Sequence, residues 1–163
     1  MDSALTALAT RVGQALAGRG WRLAAAESCT GGWVAKVVTD VAGSSGWFDR
    51  GFVTYSNDAK QDMLGVSAAT LGEYGAVSEA TVTEMAAGAL VRSRADVALA
   101  VSGIAGPGGG SADKPVGTVC FAWVRRNAPA AVVTEHFSGD RDGVRRQAVH
   151  RALEGLVDVI AGG

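Results

Sequence analysis

The segment "DVALAVSGIAG", residues 96–106, restricts the fold more than any other part of the chain. After the acidic Asp96 it is apolar or small throughout, with Ser102 as its one polar side chain. A continuous apolar run of this length, bounded by a charge and by glycines, is typical of a strand whose two faces are both buried. Such a strand needs helices on both sides of its sheet, so the chain is predicted to be an α/β protein with this segment at its centre.

Hydrophobic periodicity predicts the elements around this strand. Helices are predicted at residues 3–17, 31–43, 68–73 and 79–93, with a last helix that Asp140 or Ser138 can cap. The other strands are predicted at residues 21–28, 49–56, 118–126 and 131–138. The first two strands flank a helix and form a parallel βαβ unit, whereas the last two are joined by a connection too short for a crossover and should be antiparallel. These elements predict one three-layer α/β/α domain over residues 1–163, with a mixed, mainly parallel sheet of about five strands.

Composition argues against several classes of function. Fifteen Lys and Arg against sixteen Asp and Glu give a formal net charge of −1, with no run of like charge, which disfavours a nucleic-acid-binding face. No stretch is apolar over the length of a membrane span, and the N-terminal residues lack the regions of a signal peptide. The two cysteines, Cys29 and Cys120, cannot form a disulfide framework, so the cytoplasm is the expected compartment.

Three loops that carry reactive or flexible residues follow strands that are predicted to be parallel. They are "ESCTGG" at residues 27–32, "YSNDAK" at residues 55–60 and the glycine-rich "SGIAGPGGGSADK" at residues 102–114. Ligands of open α/β sheets bind beyond the carboxyl ends of the strands, and parallel strands bring these ends to one edge. We therefore expect Ser28, Lys60 and the glycine-rich loop to converge there.

Ser28 and Lys60 are candidates for a nucleophile and its base. Ser28 stands where the first strand ends and a helix begins, so the N–H groups near Thr30 and Gly31 can form an oxyanion hole. The alternative is that Ser28 or Thr30 only caps the helix. Lys60 can act as a base if burial or a neighbouring cation lowers its pKa, and otherwise it is a solvated surface charge. Tyr55 can hydrogen-bond the lysine amine or the serine hydroxyl, or point to water.

Other nucleophiles and a metal site have less support. Cys29 would have a lowered pKa at a helix N-terminus, but strand alternation turns it away from the side that Ser28 faces, so a small core residue is expected. Glu27 shares this orientation, and either a structural hydrogen bond to a neighbouring loop or a substrate contact fits it. His136 and His150 have no acidic partner near Ser28 and no metal-ligand spacing, so neither a Ser-His-Asp triad nor a metal is expected.

Two segments can bind an anionic part of a ligand. The stretch "GIAGPGGG", residues 103–110, lets its backbone approach a ligand and offer successive N–H groups, although it lacks the spacing of a P-loop. A flexible turn is the alternative. Arg141, Arg145 and Arg146 stand at the start of the last helix, where the helix dipole and the guanidinium groups favour an anion, unless these side chains are merely solvated.

Five segments, in their order along the chain, carry a resemblance to a known family. They are "AESCTGG", "GFVTYSNDAK", "YGAVSEATVTEMAAGAL", "SGIAGPGGGSADKPVGTV" and "FSGDRD". Together they resemble the CinA C-terminal domain family, in particular its stand-alone nicotinamide-nucleotide amidases, over nearly the whole chain. The resemblance implies a mixed α/β/α sheet and hydrolysis of the carboxamide of nicotinamide mononucleotide to nicotinic acid mononucleotide and ammonia. Activities of the additional N-terminal domain of the larger relatives are not implied.

The resemblance also assigns roles to residues of this chain. It places the nucleophile on Ser28, the base on Lys60 and an assisting hydroxyl on Tyr55, without a cofactor or a metal. The substrate contacts expected with that mechanism are Thr30, Gly31, Ser102, Gly103, Gly106 and Arg141. The expected partner is a small pyridine nucleotide, with no nucleic acid and no membrane, and a homo-oligomer is expected. Two alternatives stay open: a non-catalytic nucleotide-sensing module that uses the same cleft, and a competence-related protein-interaction domain.

Overall fold

The computed structural model describes residues 2–162, which form five strands and six α-helices. The strands are β1 (Leu23–Glu27), β2 (Phe48–Val53), β3 (Val97–Gly103), β4 (Thr118–Arg125) and β5 (Ala131–His136). The helices are α1 (Ser3–Arg19), α2 (Trp33–Thr39), α3 (Asn57–Leu64), α4 (Ala68–Tyr74), α5 (Glu79–Val91) and α6 (Arg141–Ala161). Within these residues, no helix combines the length and the apolar character that a membrane crossing needs.

The strand β3 lies in the middle of the sheet, whose order is β2-β1-β3-β4-β5. β1 is parallel to β2 and to β3, β4 is antiparallel to β3, and β5 is antiparallel to β4. Among these five strands, β4 therefore runs against the other four. Every residue of β3 before Gly103 is buried, as a strand covered by helices on both faces must be. The predicted central strand, the parallel βαβ unit and the antiparallel last pair are confirmed.

Two apolar clusters fill the space between helices and sheet, one on each face. One cluster packs α1, α2 and α6 against the sheet, and the other packs α3, α4 and α5 against the opposite face. Because alternate residues of a strand face opposite sides, β1 contributes Leu23 and Ala25 to the first cluster and Ala24 and Ala26 to the second. Continued past the end of β1, this alternation assigns Ser28 to the side of α3.

The position of α3 depends on a close approach to α5. A Cβ atom at Gly88 of α5 would overlap the carbonyl oxygen of Leu64, the last residue of α3. A side chain at this position would therefore push the two helices apart. At its other end α3 is capped by Ser56, whose hydroxyl accepts a hydrogen bond of 3.0 Å from the N–H of Ala59. These two contacts fix the helix that carries Lys60.

Candidate active site

Ser28 and Lys60 meet at the carboxyl ends of β1 and β2. Ser28 follows β1 directly, and its N–H continues the pairing with β3 through a hydrogen bond of 3.0 Å to the carbonyl of Val101. Lys60 extends from the first turn of α3, and its Nζ lies 2.9 Å from the Ser28 Oγ. Ser28 is 7% exposed and Lys60 is 1% exposed. The parallel strands thus bring the two side chains into hydrogen-bond contact, as the sequence predicts.

The surroundings of Lys60 lower the pKa of its amine. Its Nζ contacts the carbonyl oxygens of Thr54 at 2.9 Å and Tyr55 at 3.4 Å. None of the salt bridges found in residues 2–162 involves Lys60. Burial lowers the pKa of Lys60, because no carboxylate compensates for the lost hydration of the charged form. Lys60 Nζ donates to the Ser28 hydroxyl, and once deprotonated the amine can keep two hydrogens for the carbonyls and accept from that hydroxyl instead. This arrangement can activate a serine as a nucleophile.

Cys29 lies on the other side of the chain from Ser28. It is 6% exposed and belongs to the apolar cluster formed with α1, α2 and α6. Burial raises the pKa of the Cys29 thiol to about 12, so a thiolate is scarce at neutral pH. The prediction of a small core residue is confirmed.

The N–H of Gly31 is engaged within the protein, so it does not contribute to the oxyanion hole predicted from Thr30 and Gly31. The Thr30 side chain is fully buried, and its hydroxyl donates a hydrogen bond of 2.6 Å to the Glu27 carboxylate. The N–H of Gly31 donates to the carbonyl of Ser28 at 3.0 Å, which closes a turn over residues 28–31. The cause is that α2 begins at Trp33, two residues later than predicted, so this segment is a turn and not a first helical turn. Of the two alternatives for Glu27, a structural hydrogen bond and a substrate contact, the structure shows the first.

Tyr55 also departs from its predicted contact. Its side chain is 63% exposed, and its hydroxyl accepts a hydrogen bond of 3.2 Å from Arg141 Nη2. β2 ends at Val53, so Tyr55 lies in the connection to α3, where strand alternation no longer orients it. It is the carbonyl of Tyr55 that contacts Lys60, while the hydroxyl lies at the rim of the site.

A cleft of about 240 Å³ lies next to the serine and the lysine. Its lining residues come from all three predicted loops, from the connection before α5 and from the start of α6: Ser28, Cys29, Tyr55, Asn57, Lys60, Ala76, Val77, Ser102, Gly103, Ala105 and Arg141. Of the predicted substrate contacts, Ser102, Gly103 and Arg141 therefore line the cleft. Gly106 supports it indirectly, because its carbonyl accepts a hydrogen bond of 2.7 Å from Arg141 Nη1.

Sequence reasoning missed four of these lining residues. Asn57 is the first residue of α3 and stands in the "YSNDAK" loop, so its place after a parallel strand was an available signal. Ala76 and Val77 precede α5, and Ala105 follows β3. Small apolar side chains carry no chemical pattern that distinguishes a cleft wall from a core residue.

A serine hydroxyl beside a buried lysine amine is an arrangement that can support covalent acyl transfer. Residues 5–160 match the CinA C-terminal domain, and the chain belongs to this family. It is 61% identical over 155 residues to the nicotinamide-nucleotide amidohydrolase PncC of Escherichia coli. The aligned residues cover 95% of this chain and 94% of that protein.

Solved structures of the superfamily have the same fold. The competence/damage inducible protein CihA from Agrobacterium tumefaciens has a TM-score of 0.94 and is 48% identical, covering 97% of this chain and 96% of that one. A CinA superfamily protein from Klebsiella pneumoniae has a TM-score of 0.94 and is 45% identical, covering 98% of this chain and 99% of that one. The family and the mixed α/β fold expected from the sequence are confirmed.

Proposed function

We propose that this protein is a nicotinamide-nucleotide amidohydrolase that converts nicotinamide mononucleotide and water to nicotinic acid mononucleotide and ammonia. The observation that carries the proposal is the contact of 2.9 Å between the Ser28 hydroxyl and a buried lysine amine that has no carboxylate partner among residues 2–162. The printed activity of the Escherichia coli relative, at 61% identity over 155 residues, supports the same reaction. We assign it to one domain that spans the chain.

The proposed reaction proceeds through an acyl-enzyme. Neutral Lys60 takes the proton of the Ser28 hydroxyl, and the serine oxygen attacks the carboxamide carbon to give a tetrahedral intermediate. The carbon–nitrogen bond breaks, and Lys60 returns the proton to the departing nitrogen, which leaves as ammonia. Water then attacks the ester, again with Lys60 as base, and the carbon–oxygen bond to Ser28 breaks. The product acid leaves, and the serine hydroxyl is restored.

The cleft offers separate places for the two ends of the nucleotide. The carboxamide must reach Ser28 at the buried end, where Ser102 and Gly103 form the neighbouring wall. Arg141 stands at the open end, held by the carbonyl of Gly106 and the hydroxyl of Tyr55. A guanidinium fixed in this way suits a phosphate. We therefore propose that Arg141 binds the nucleotide phosphate.

The experiment is direct. The purified protein is incubated with nicotinamide mononucleotide in the presence of a chelator, and ammonia and the acid product are quantified. Stoichiometric release of both supports the proposal, and trapping of an acyl group on Ser28 by intact mass supports the covalent route. Absence of turnover would contradict it. Nucleotide binding without turnover, measured by calorimetry, would then favour a nucleotide-sensing module.

A further inference from the structure

The Glu27 carboxylate is buried beneath the turn that carries Ser28. It is 1% exposed, and no salt bridge found in residues 2–162 involves it. Besides the Thr30 hydroxyl, it accepts hydrogen bonds from the N–H groups of Gly32 at 3.2 Å, Val34 at 2.9 Å and Ala35 at 3.0 Å. A buried carboxylate is costly unless hydrogen bonds compensate for the lost water. Here the compensation comes from backbone donors at the start of α2.

The helix α2 depends on this carboxylate because it has no cap of its own. Gly32 occupies the N-cap position in the left-handed region, with φ 103°, and has no side chain to accept from the first N–H groups. Glu27 accepts from them instead. The last residue of β1 is thereby joined to the first turn of α2, and the turn over residues 28–31 is held between two fixed ends.

Arg145 holds the same turn from α6. Its Nε donates to the carbonyl of Cys29 at 3.0 Å and its Nη2 to the carbonyl of Thr30 at 3.3 Å. Its guanidinium also lies over the ring of Trp33, 5.6 Å from the centroid. Together with the bond from the Gly31 N–H to the Ser28 carbonyl, the first three carbonyls of the turn, those of residues 28–30, therefore each have a donor within the protein.

The orientation of these carbonyls determines where one N–H points. In a trans peptide the carbonyl and the N–H point in opposite directions. The carbonyl of Ser28 is directed into the turn, toward Gly31, so the N–H of Cys29 is directed out of it. No backbone carbonyl among residues 2–162 accepts from this N–H, and Cys29 lines the cleft beside Ser28. An N–H next to the nucleophile is a suitable donor to the oxyanion of an acyl-transfer intermediate.

We infer that Glu27 is a positioning residue that acts through this turn: its carboxylate holds the Ser28 hydroxyl against Lys60 and the Cys29 N–H toward the oxyanion. The inference rests on the proposed acyl transfer at Ser28 and deepens it. Glu27 itself touches neither the substrate nor the reacting atoms. Its contribution is to keep the turn in a single conformation before and during the reaction.

Glu27→Gln is the decisive variant, because it keeps the size of the side chain and places an amide donor where one carboxylate oxygen accepts. We expect kcat to fall about 10²-fold, the lower end of the loss on removal of one oxyanion donor, while KM changes less than about threefold. Thr30→Val removes one of the carboxylate's donors and is expected to lower kcat about tenfold. Both are measured by ammonia release at saturating nicotinamide mononucleotide.

Glu84→Gln is the matched control for loss of stability alone. Glu84 also accepts from a backbone N–H and a threonine hydroxyl at a helix start, through Ser67 at 2.8 Å and Thr70. It holds the start of α4 from α5, where Ser67 is the N-cap, and it does not line the cleft. We expect its thermal stability to fall as in Glu27→Gln, with kcat and KM unchanged. Equal loss of kcat in both variants, or wild-type kcat in Glu27→Gln, would overturn the inference.

A second reaction separates this inference from the choice of substrate. Acylation of Ser28 by p-nitrophenyl acetate reports on the nucleophile and the oxyanion donor without the nucleotide. If the wild type is acylated but does not hydrolyse the nucleotide, the proposed substrate is wrong, and a slower acylation of Glu27→Gln still supports the positioning role. Unchanged acylation of Glu27→Gln would contradict it. A wild type that reacts with neither compound would overturn both proposals.

Discussion

The two ends of the cleft differ in how firmly their side chains are held. At the buried end, Ser28 and Lys60 are 7% and 1% exposed. The Ser28 N–H is bonded to β3, and the Lys60 amine is bonded to the backbone that follows β2. At the open end, Tyr55 is 63% exposed, and Arg141 is held by one carbonyl and one phenol. Groups that perform chemistry gain from fixed geometry, whereas groups that admit a substrate must stay accessible. Substitutions at the buried end should therefore lower kcat, and those at the rim should raise KM.

The largest effect is expected for Ser28→Ala. Removal of the nucleophile should lower kcat by about 10⁴-fold or more, with a folded protein by circular dichroism and nearly unchanged nucleotide binding. Cys29→Ala is the matched control, because it removes the neighbouring thiol and keeps the backbone N–H. It should lower kcat by less than about fivefold. An inactive Cys29→Ala together with an active Ser28→Ala would reverse the assignment of the nucleophile.

Lys60→Met should have the second largest effect. It keeps the apolar stem and removes the amine, so kcat should fall about 10³-fold, as for loss of a general base. Lys36→Met is the matched control, since Lys36 forms an exposed pair with Asp40 on α2. Its kcat should not change. A Lys60→Met variant that keeps wild-type kcat would mean that Ser28 is activated by another group or not at all.

The wild type and Lys60→Met also test the charge state of Lys60, through the pH dependence of their free energies of unfolding. Burial lowers its pKa in the folded protein below the ordinary value of 10.5, so the unfolded chain binds more protons between the two pKa values. The stability of the wild type relative to Lys60→Met should therefore rise with pH through this interval. The rate should rise in the same direction as the base becomes neutral. A stability difference independent of pH would show that the lysine keeps its charge on folding.

How much of this site the sequence predicts depends on the kind of signal. The meeting of Ser28 and Lys60 follows from two facts available in the sequence, their positions after strands and the parallel direction of those strands. The role of Glu27 cannot be predicted in this way. Most of its partners are backbone N–H groups, which every residue except proline possesses. The predicted start of α2 is wrong by two residues for the same reason. The first N–H groups of the helix bond to the carboxylate of the preceding strand and not to a local cap.

At the rim, Arg141→Ala should raise KM for nicotinamide mononucleotide about 10- to 100-fold, because a hydrogen bond to a charged group contributes about 1.5–3 kcal/mol. The expected change in kcat is less than about threefold. Nicotinamide riboside, which lacks the phosphate, provides the control substrate, since its kcat/KM should be the same in both proteins. Equal losses for both substrates would mean that Arg141 supports the cleft wall through Gly106 and does not bind the phosphate.

The smallest effect is expected for Tyr55→Phe, and it tests the division between the two ends most closely. The resemblance gives this hydroxyl an assisting role in catalysis, whereas in the structure it accepts from Arg141 at 3.2 Å. Loss of one exposed hydrogen bond that orients a guanidinium should raise KM about two- to fivefold and leave kcat unchanged. If kcat falls more than about tenfold while KM stays constant, the hydroxyl must reach Ser28 or Lys60 during turnover. The rim would then take part in the chemistry, and the Tyr55 hydroxyl would leave Arg141 during turnover.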